Sequence, residues 1–117
     1  MLITERKTGD EVVLLLSGCL MEDDRYRPGT LTDLVDRLTA AGSTRIALDL
    51  ANLLQVDALG LGEIAAAFRR AREQGAQLWL RRPSARIGRL LSVTRLSSVI
   101  AVATEEGEGL LSAAGRT

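Results

Sequence analysis

The sequence contains no histidine, a single lysine (Lys7) and a single cysteine (Cys19). The absence of histidine removes the side chain that most often serves as a general base or a metal ligand near neutral pH. One cysteine cannot form a disulfide framework or a multi-cysteine zinc site within the chain. A lone thiol among apolar neighbours is usually a small core hydrophobe in a reducing compartment. The sequence therefore argues against an enzyme and predicts neither a metal nor a cofactor.

An excess of one charge and long apolar runs are missing as well. Acidic and basic side chains number 15 each, so no net field favours nucleic acid or anionic lipid as a partner. No apolar run approaches the ~20 residues that span a bilayer. The segment Met1–Lys7 lacks the apolar region of a signal peptide. We therefore expect a cytoplasmic protein that neither binds nucleic acid nor inserts into a membrane.

The composition that remains is typical of one globular unit. The chain has 117 residues, of which 46% are apolar and 26% are charged, enough for a core that needs no disulfide or metal. No linker, repeat or low-complexity tract divides it. We therefore predict one domain over residues 1–117.

Hydrophobic periodicity predicts alternating strands and helices. The apolar run Val12–Leu16 is typical of a buried strand, and the turn residues Thr8–Asp10 connect it to residues 2–5 as a hairpin. Thr30 and Asp33 have capping-box spacing at the start of a helix, and Gly42 suits its left-handed end.

Further elements follow in order along the chain. They are a strand at Arg45–Leu50, a loop over residues 51–56, a helix from Asp57 to Gly75, a strand at Gln77–Leu80, a helix opened by Pro83-Ser84, a strand at Val99–Val102 and a weak helix around Leu110 and Leu111. Two strands followed by alternating helices and strands predict an α/β fold. Its sheet is small, mixed and largely parallel, with helices packed against it.

The segment that carries functional information lies between the third strand and the second helix. The strand ends at Asp49-Leu50, and the helix begins at a glycine-containing segment, Asp57–Gly62. Helix N-termini at the carboxyl ends of parallel strands are where α/β folds place binding sites. We therefore look for the site at this junction.

Four groups of residues, in this order and spacing, resemble the STAS domain of anti-sigma factor antagonists. They are Ser17-Gly18-x-Leu20, Asp49-Leu50, Asp57-x-x-Gly60-Leu61-Gly62, and Pro83-Ser84 leading to Leu90-Leu91. The resemblance implies a STAS-like fold over the single domain. It also implies a regulatory module that docks on a kinase-type anti-sigma factor, which then releases its sigma factor.

In the family, the kinase phosphorylates the second serine of the pattern Asp-Ser-Ser-Gly-Leu-Gly. Ala58 matches the first serine here and Leu59 matches the phosphorylated one, so the resemblance implies no phosphorylation at the family position. Two lesser departures are Met21, where an acidic residue is common, and Arg95, where glycine is frequent. The partner-binding residues that the resemblance implies are Asp57, Ala58, Leu59, Gly60 and Leu61.

Several alternatives stay open from the residues alone. Asp57 can serve simply as a helix N-cap, and Leu59 can either turn into the core or lie exposed at an interface. The hydroxyl groups near the third helix offer either a relocated phosphosite or ordinary capping and turn roles; they belong to Ser92, Thr94, Ser97 and Ser98.

The function itself also has alternatives. STAS-like domains serve as accessory subunits of membrane transporters or lipid-transport complexes, and this is the second hypothesis. An enzyme or small-ligand receptor ranks last, because it needs convergent titratable groups in a pocket. A homo-oligomer is compatible with the sequence.

Overall fold

The computed structural model describes residues 1–21 and 26–103. Its strands are β1 (Leu2–Thr8), β2 (Glu11–Leu20), β3 (Arg45–Val56), β4 (Gln77–Arg81) and β5 (Val102–Ala103). Its helices are α1 (Thr30–Ala40), α2 (Ala58–Glu73) and α3 (Ala85–Val93), with a 3-10 turn at Leu96–Ser98.

The five strands form one sheet in the order β1-β2-β3-β4-β5. β1 and β2 pair antiparallel around the turn at Gly9, whose φ of 62° places it in the left-handed region. Every later neighbour pairs parallel, and the helices supply the crossovers that parallel pairing requires. The prediction of a small, mixed, largely parallel sheet is confirmed.

The core lies on one face of the sheet. Strand residues that alternate along β2, β3 and β4 pack with the apolar faces of all three helices, among them Leu14, Leu48, Leu80, Val35, Ile64 and Leu91. The intervening strand residues point to the opposite face, where Val13, Ala47 and Trp79 are register neighbours in a smaller cluster. Cys19 is only partly buried.

The start of α1 corrects one expectation. The helix does begin at Thr30, but its N-cap is Gly29, with a φ of 91° and no side-chain cap. The Thr30 hydroxyl donates instead to the Arg27 carbonyl at 2.6 Å, so the predicted capping box is wrong. At the other end Gly42 adopts a φ of 100°, as predicted.

The bounds of β3 and β5 also differ from the prediction. Residues 51–56 continue β3 beside β2 and do not form the expected loop, because two irregularities let the longer strand keep its pairing. The last strand is Val102–Ala103 and not Val99–Val102, since a 3-10 turn ends only at Ser98. The predicted helix around Leu110 and Leu111 lies outside the described residues. Within residues 1–21 and 26–103, no helix has the length and apolar character needed to cross a bilayer.

Helix α2 starts in direct contact with the end of β2. A Cβ atom added to Gly60 would lie 2.1 Å from the Leu20 carbonyl oxygen and 2.5 Å from Val56 Cγ2. Two atoms cannot approach this closely, so only glycine fits at this point of the helix. The close approach sets where α2 begins relative to the carboxyl ends of β2 and β3.

We predict that Gly60→Ala lowers the free energy of unfolding by about 2–4 kcal/mol. The added methyl group must push α2 away from rigid backbone, and overpacking of this kind typically costs about 1–3 kcal/mol or more. The change is measured by urea denaturation of the two proteins.

The matched control is Gly62→Ala, two residues along the same helix. A Cβ at Gly62 meets no atom within 4 Å, so the better helix propensity of alanine should raise the stability by up to about 1 kcal/mol. Equal effects of the two substitutions would contradict the close contact at Gly60.

Candidate functional site

The candidate site is the junction at which β2 and β3 end and α2 begins. Leu20 and Val56 are register partners at the ends of the two strands. Asp57 follows in extended conformation, and its N–H donates to the Leu20 carbonyl at 3.4 Å. The structure thus brings the Ser17-Gly18-x-Leu20 segment beside the Asp57–Gly62 segment, two of the four groups of residues that carry the family resemblance.

Asp57 caps the helix. One oxygen of its carboxylate accepts a hydrogen bond from the Gly60 N–H at 2.9 Å. A cap of this kind stabilises a helix by about 1 kcal/mol. The aspartate therefore has a structural role that accounts for its position before α2.

The five candidate contact residues differ in how far they reach the surface. Ala58 is exposed, Leu59 is partly buried, and Gly60 is buried. Leu61 packs against the main core, whereas Leu59 is not among the described residues that do so. Ala58 and Leu59 therefore reach the surface, while Gly60 and Leu61 hold the helix in place.

Leu54 is an exposed residue at the junction that sequence reasoning missed. Gly18 is opposite Leu53 and Cys19 is opposite Gln55, so Leu54 is an extra residue in β3. Such a bulge redirects a side chain, and Leu54 is 67% exposed. The signal in the sequence is the adjacent pair Leu53-Leu54, which breaks strict alternation inside a strand.

We call Leu54, Asp57, Ala58 and Leu59 the junction surface. These residues lie within six positions of one another, on either side of the turn from β3 to α2. Three of them are apolar, and the carboxylate of Asp57 already accepts from Gly60. The surface offers no nucleophile, and its chemistry suits contact with an apolar patch of a protein.

A buried tyrosine supports the first turns of α2. Tyr26 is 5% exposed, and its hydroxyl donates to Glu63 Oε1 at 2.7 Å. The Gly29 N–H donates to the same oxygen at 2.9 Å. Burial, together with the Glu63 carboxylate, raises the pKa of Tyr26 above its usual range, so the phenol stays protonated as a donor. The carboxylate thereby joins the start of α1 to α2.

Asp49, the strand-end aspartate of the predicted motif, lies in an ion pair. It is 2% exposed, and its Oδ2 lies 2.7 Å from Arg82 Nη2 and 3.8 Å from Arg81 Nη2. Its other oxygen accepts from the Ala51 N–H at 3.0 Å. Because both oxygens have partners within the chain, Asp49 has a structural role: it ties the middle of β3 to the residues at the end of β4.

The hydroxyl groups after α3 lie away from the junction surface. Helix α3 runs back from the end of β4 toward the start of β5, so its C-terminal end is at the opposite end of the sheet. The Thr94 hydroxyl donates to the Leu90 carbonyl at 2.8 Å, and the Ser98 hydroxyl donates to the Arg95 carbonyl at 2.8 Å. Arg95 itself has a φ of 65°, the left-handed conformation that favours the glycine expected there.

Comparison with known proteins identifies relatives over most of the chain. The family model described as the Mlab STAS domain matches residues 3–103. The anti-sigma-B factor antagonist of Listeria monocytogenes is 29% identical over 106 residues, which cover 91% of this chain and 90% of that relative.

Solved structures show the same fold. A Thermotoga maritima protein assigned as an anti-sigma factor antagonist superposes with a TM-score of 0.76 at 21% identity, over 89% of this chain and 87% of that one. The Bacillus cell fate determinant SpoIIAA, in its phosphorylated form, superposes with a TM-score of 0.65 at 20% identity, over 90% of this chain and 94% of that one. The family model covers most of the chain, including both sides of the β3–α2 junction, and the chain therefore belongs to the STAS domain family.

Proposed function

We propose that this STAS domain binds a kinase-type anti-sigma factor through its junction surface, and that phosphorylation at the family position does not control the binding. The observation that carries the proposal is the partly accessible leucine at position 59, in the first turn of α2. The Listeria relative is an anti-sigma-B factor antagonist, which supports a protein partner of this kind. Asp57, Gly60 and Leu61 would contribute by fixing the helix start.

The energetics of the surface favour an apolar contact. Leu54 is 67% exposed, and burying a leucine side chain fully is worth about 1.5–3 kcal/mol relative to leaving it exposed. Leu59 and Ala58 would add a smaller apolar area. A partner that covers all three would gain binding energy without having to desolvate an unpaired charge of this chain.

The same residues explain why the usual switch would be absent. SpoIIAA exists in a phosphorylated form, and a phosphate adds a charge of about −1.5 to −2 to a surface. A leucine side chain has no hydroxyl that could accept phosphate. The domain would therefore remain competent for binding whether or not its partner is an active kinase.

The first test is phosphate transfer. After incubation with ATP and an active kinase-type anti-sigma factor, we expect the intact mass of the wild-type protein to stay unchanged. The variant Leu59→Ser should gain one phosphate, because it restores the acceptor hydroxyl at the start of α2. Stoichiometric phosphorylation of the wild type would overturn the proposal, and peptide mapping would show whether Ser92, Thr94, Ser97 or Ser98 is the acceptor. An unmodified Leu59→Ser protein would count against the kinase as a partner.

The second test places a charge in the contact. Leu59→Glu should weaken binding to the anti-sigma factor at least a hundredfold, since a carboxylate buried without a partner costs several kcal/mol and each 1.4 kcal/mol is tenfold. The free domain should keep its stability or gain about 0.3–1 kcal/mol, because a negative charge near a helix N-terminus is favourable. Titration calorimetry and urea denaturation measure the two quantities.

Leu59→Gln is the control for that substitution, because it has similar size and no charge. We expect it to lose much less affinity than Leu59→Glu. Proportional losses of stability and binding in Leu59→Glu would identify Leu59 as a core residue. If Leu59→Glu kept both its stability and its affinity for the anti-sigma factor, docking would use another surface.

A second candidate function rests on the family model, which carries the name Mlab. STAS-like domains also act as accessory subunits of membrane transporters and lipid-transport complexes. Affinity purification of the chain from its host would distinguish the two functions, since an ATPase subunit would be retained in place of a kinase-like anti-sigma factor.

A further inference from the structure

A groove lies between the C-terminal half of α2 and the segment that joins α3 to β5. It consists of two adjoining cavities of about 290 Å³ and about 270 Å³. Both are lined by Phe68, Arg72 and Val99, and Arg69 and Leu96 line the first of them. We call these five residues the α2 groove.

The floor of the α2 groove is apolar. Phe68 and Leu96 are partly buried and pack against the main core. Val99 stands at the side of the groove and is 60% exposed. Phe68, Leu96 and Val99 line the same cavity, and apolar surface that is contiguous in this way is typical of a protein contact.

The rim of the groove carries two arginines that form no ion pair within the described part of the chain. Arg69 and Arg72 are exposed and stand three residues apart, one helical turn, on α2. Within residues 1–21 and 26–103, neither guanidinium forms a hydrogen bond or an ion pair. In contrast, Nη1 of the neighbouring Arg70 lies 3.0 Å from Asp36 Oδ2 in an ion pair. Among the described residues, no acidic side chain lines either cavity.

We propose that the α2 groove binds an acidic amphipathic segment of a partner protein. Apolar side chains of the segment would contact Phe68, Leu96 and Val99, and two of its carboxylates would pair with Arg69 and Arg72. Carboxylates one turn apart on a helix, at i and i+3 or i+4, match the spacing of the two arginines. Charge complementarity selects an acidic occupant over a neutral or basic one.

The α2 groove is separate from the junction surface. Leu59 and Arg72 lie 13 residues apart on α2, a distance of about 20 Å along the helix axis. One domain would therefore have two docking surfaces at opposite ends of a single helix. The groove would contact a different segment from the one that covers Leu59.

The test selects ligands from a phage-displayed library of random 16-residue peptides, panned on the full chain. We expect the enriched peptides to combine large apolar residues with at least two carboxylates spaced three or four apart. A synthetic copy of an enriched peptide should shift the backbone amide resonances of Phe68–Arg72 and Leu96–Ala101. Its binding should weaken as salt is raised, because the pairs lie at an exposed rim.

Two double variants with the same spacing show whether Arg69 and Arg72 contribute to peptide binding. Arg69→Gln with Arg72→Gln should weaken the peptide about tenfold, whereas Arg86→Gln with Arg89→Gln, on the exposed face of α3, should change the Kd less than twofold. Leu59→Glu should leave peptide binding unchanged, so failure of the groove is distinguishable from failure of the junction surface.

Several results would overturn the proposal. The library could yield no peptides enriched in carboxylates, or the two double variants could weaken peptide binding equally. Resonance shifts confined to the junction surface would also contradict it. A chain that sediments as a dimer dissociated by Arg69→Gln with Arg72→Gln would identify a second copy as the occupant. Residues 104–117 include Glu105, Glu106 and Glu108. If the resonances of this segment changed in that double variant, the occupant of the groove would be a segment of the same chain.

Discussion

The contact between Gly60 and the Leu20 carbonyl is the constraint on which the arrangement of the site depends. The backbone of α2 passes so close to the end of β2 that a Cβ would lie 2.1 Å from that oxygen. This contact fixes the helix start beside the strand ends, and Asp57 then closes the first turn by accepting from the Gly60 N–H. Ala58 and Leu59 are consequently presented on rigid backbone, where a contact surface loses little conformational entropy on binding.

Local patterns were sufficient to predict the fold. The apolar run Val12–Leu16, the cap at Asp57 and the helix end at Gly42 each rest on interactions within a few residues, and each appears in the structure as predicted. The junction was predicted as the functional region because α/β folds place binding sites where helices begin beside strand ends, and the family resemblance added the candidate contact residues. The described structure confirms the fold, while the role of the junction residues in binding stays a prediction.

The features that the sequence did not predict depend on contacts between distant segments. The Gly29 N–H is satisfied by Glu63 from α2, so α1 does not need the local cap expected from Thr30. β3 extends to Val56 because β2 provides a partner over the whole length, and neither the bulge nor the exposure of Leu54 follows from propensity. Whether Leu59 lies inside or outside the core likewise depends on which neighbours cover it, and one sequence does not specify this.

The two irregularities in β3 have a consequence for how the surface can change over time. Between Leu15 and Leu20, β2 advances five residues while β3 advances seven, from Asp49 to Val56. The extra residues are accommodated outside the regular ladder, so the paired positions and the helix start do not depend on their identity. Substitution of Leu54, or loss of one residue from the bulge, would then alter the shape of the surface without shifting Gly60 against Leu20. The surface proposed to bind the partner can therefore change by mutation at the bulge while the core of the domain stays constant.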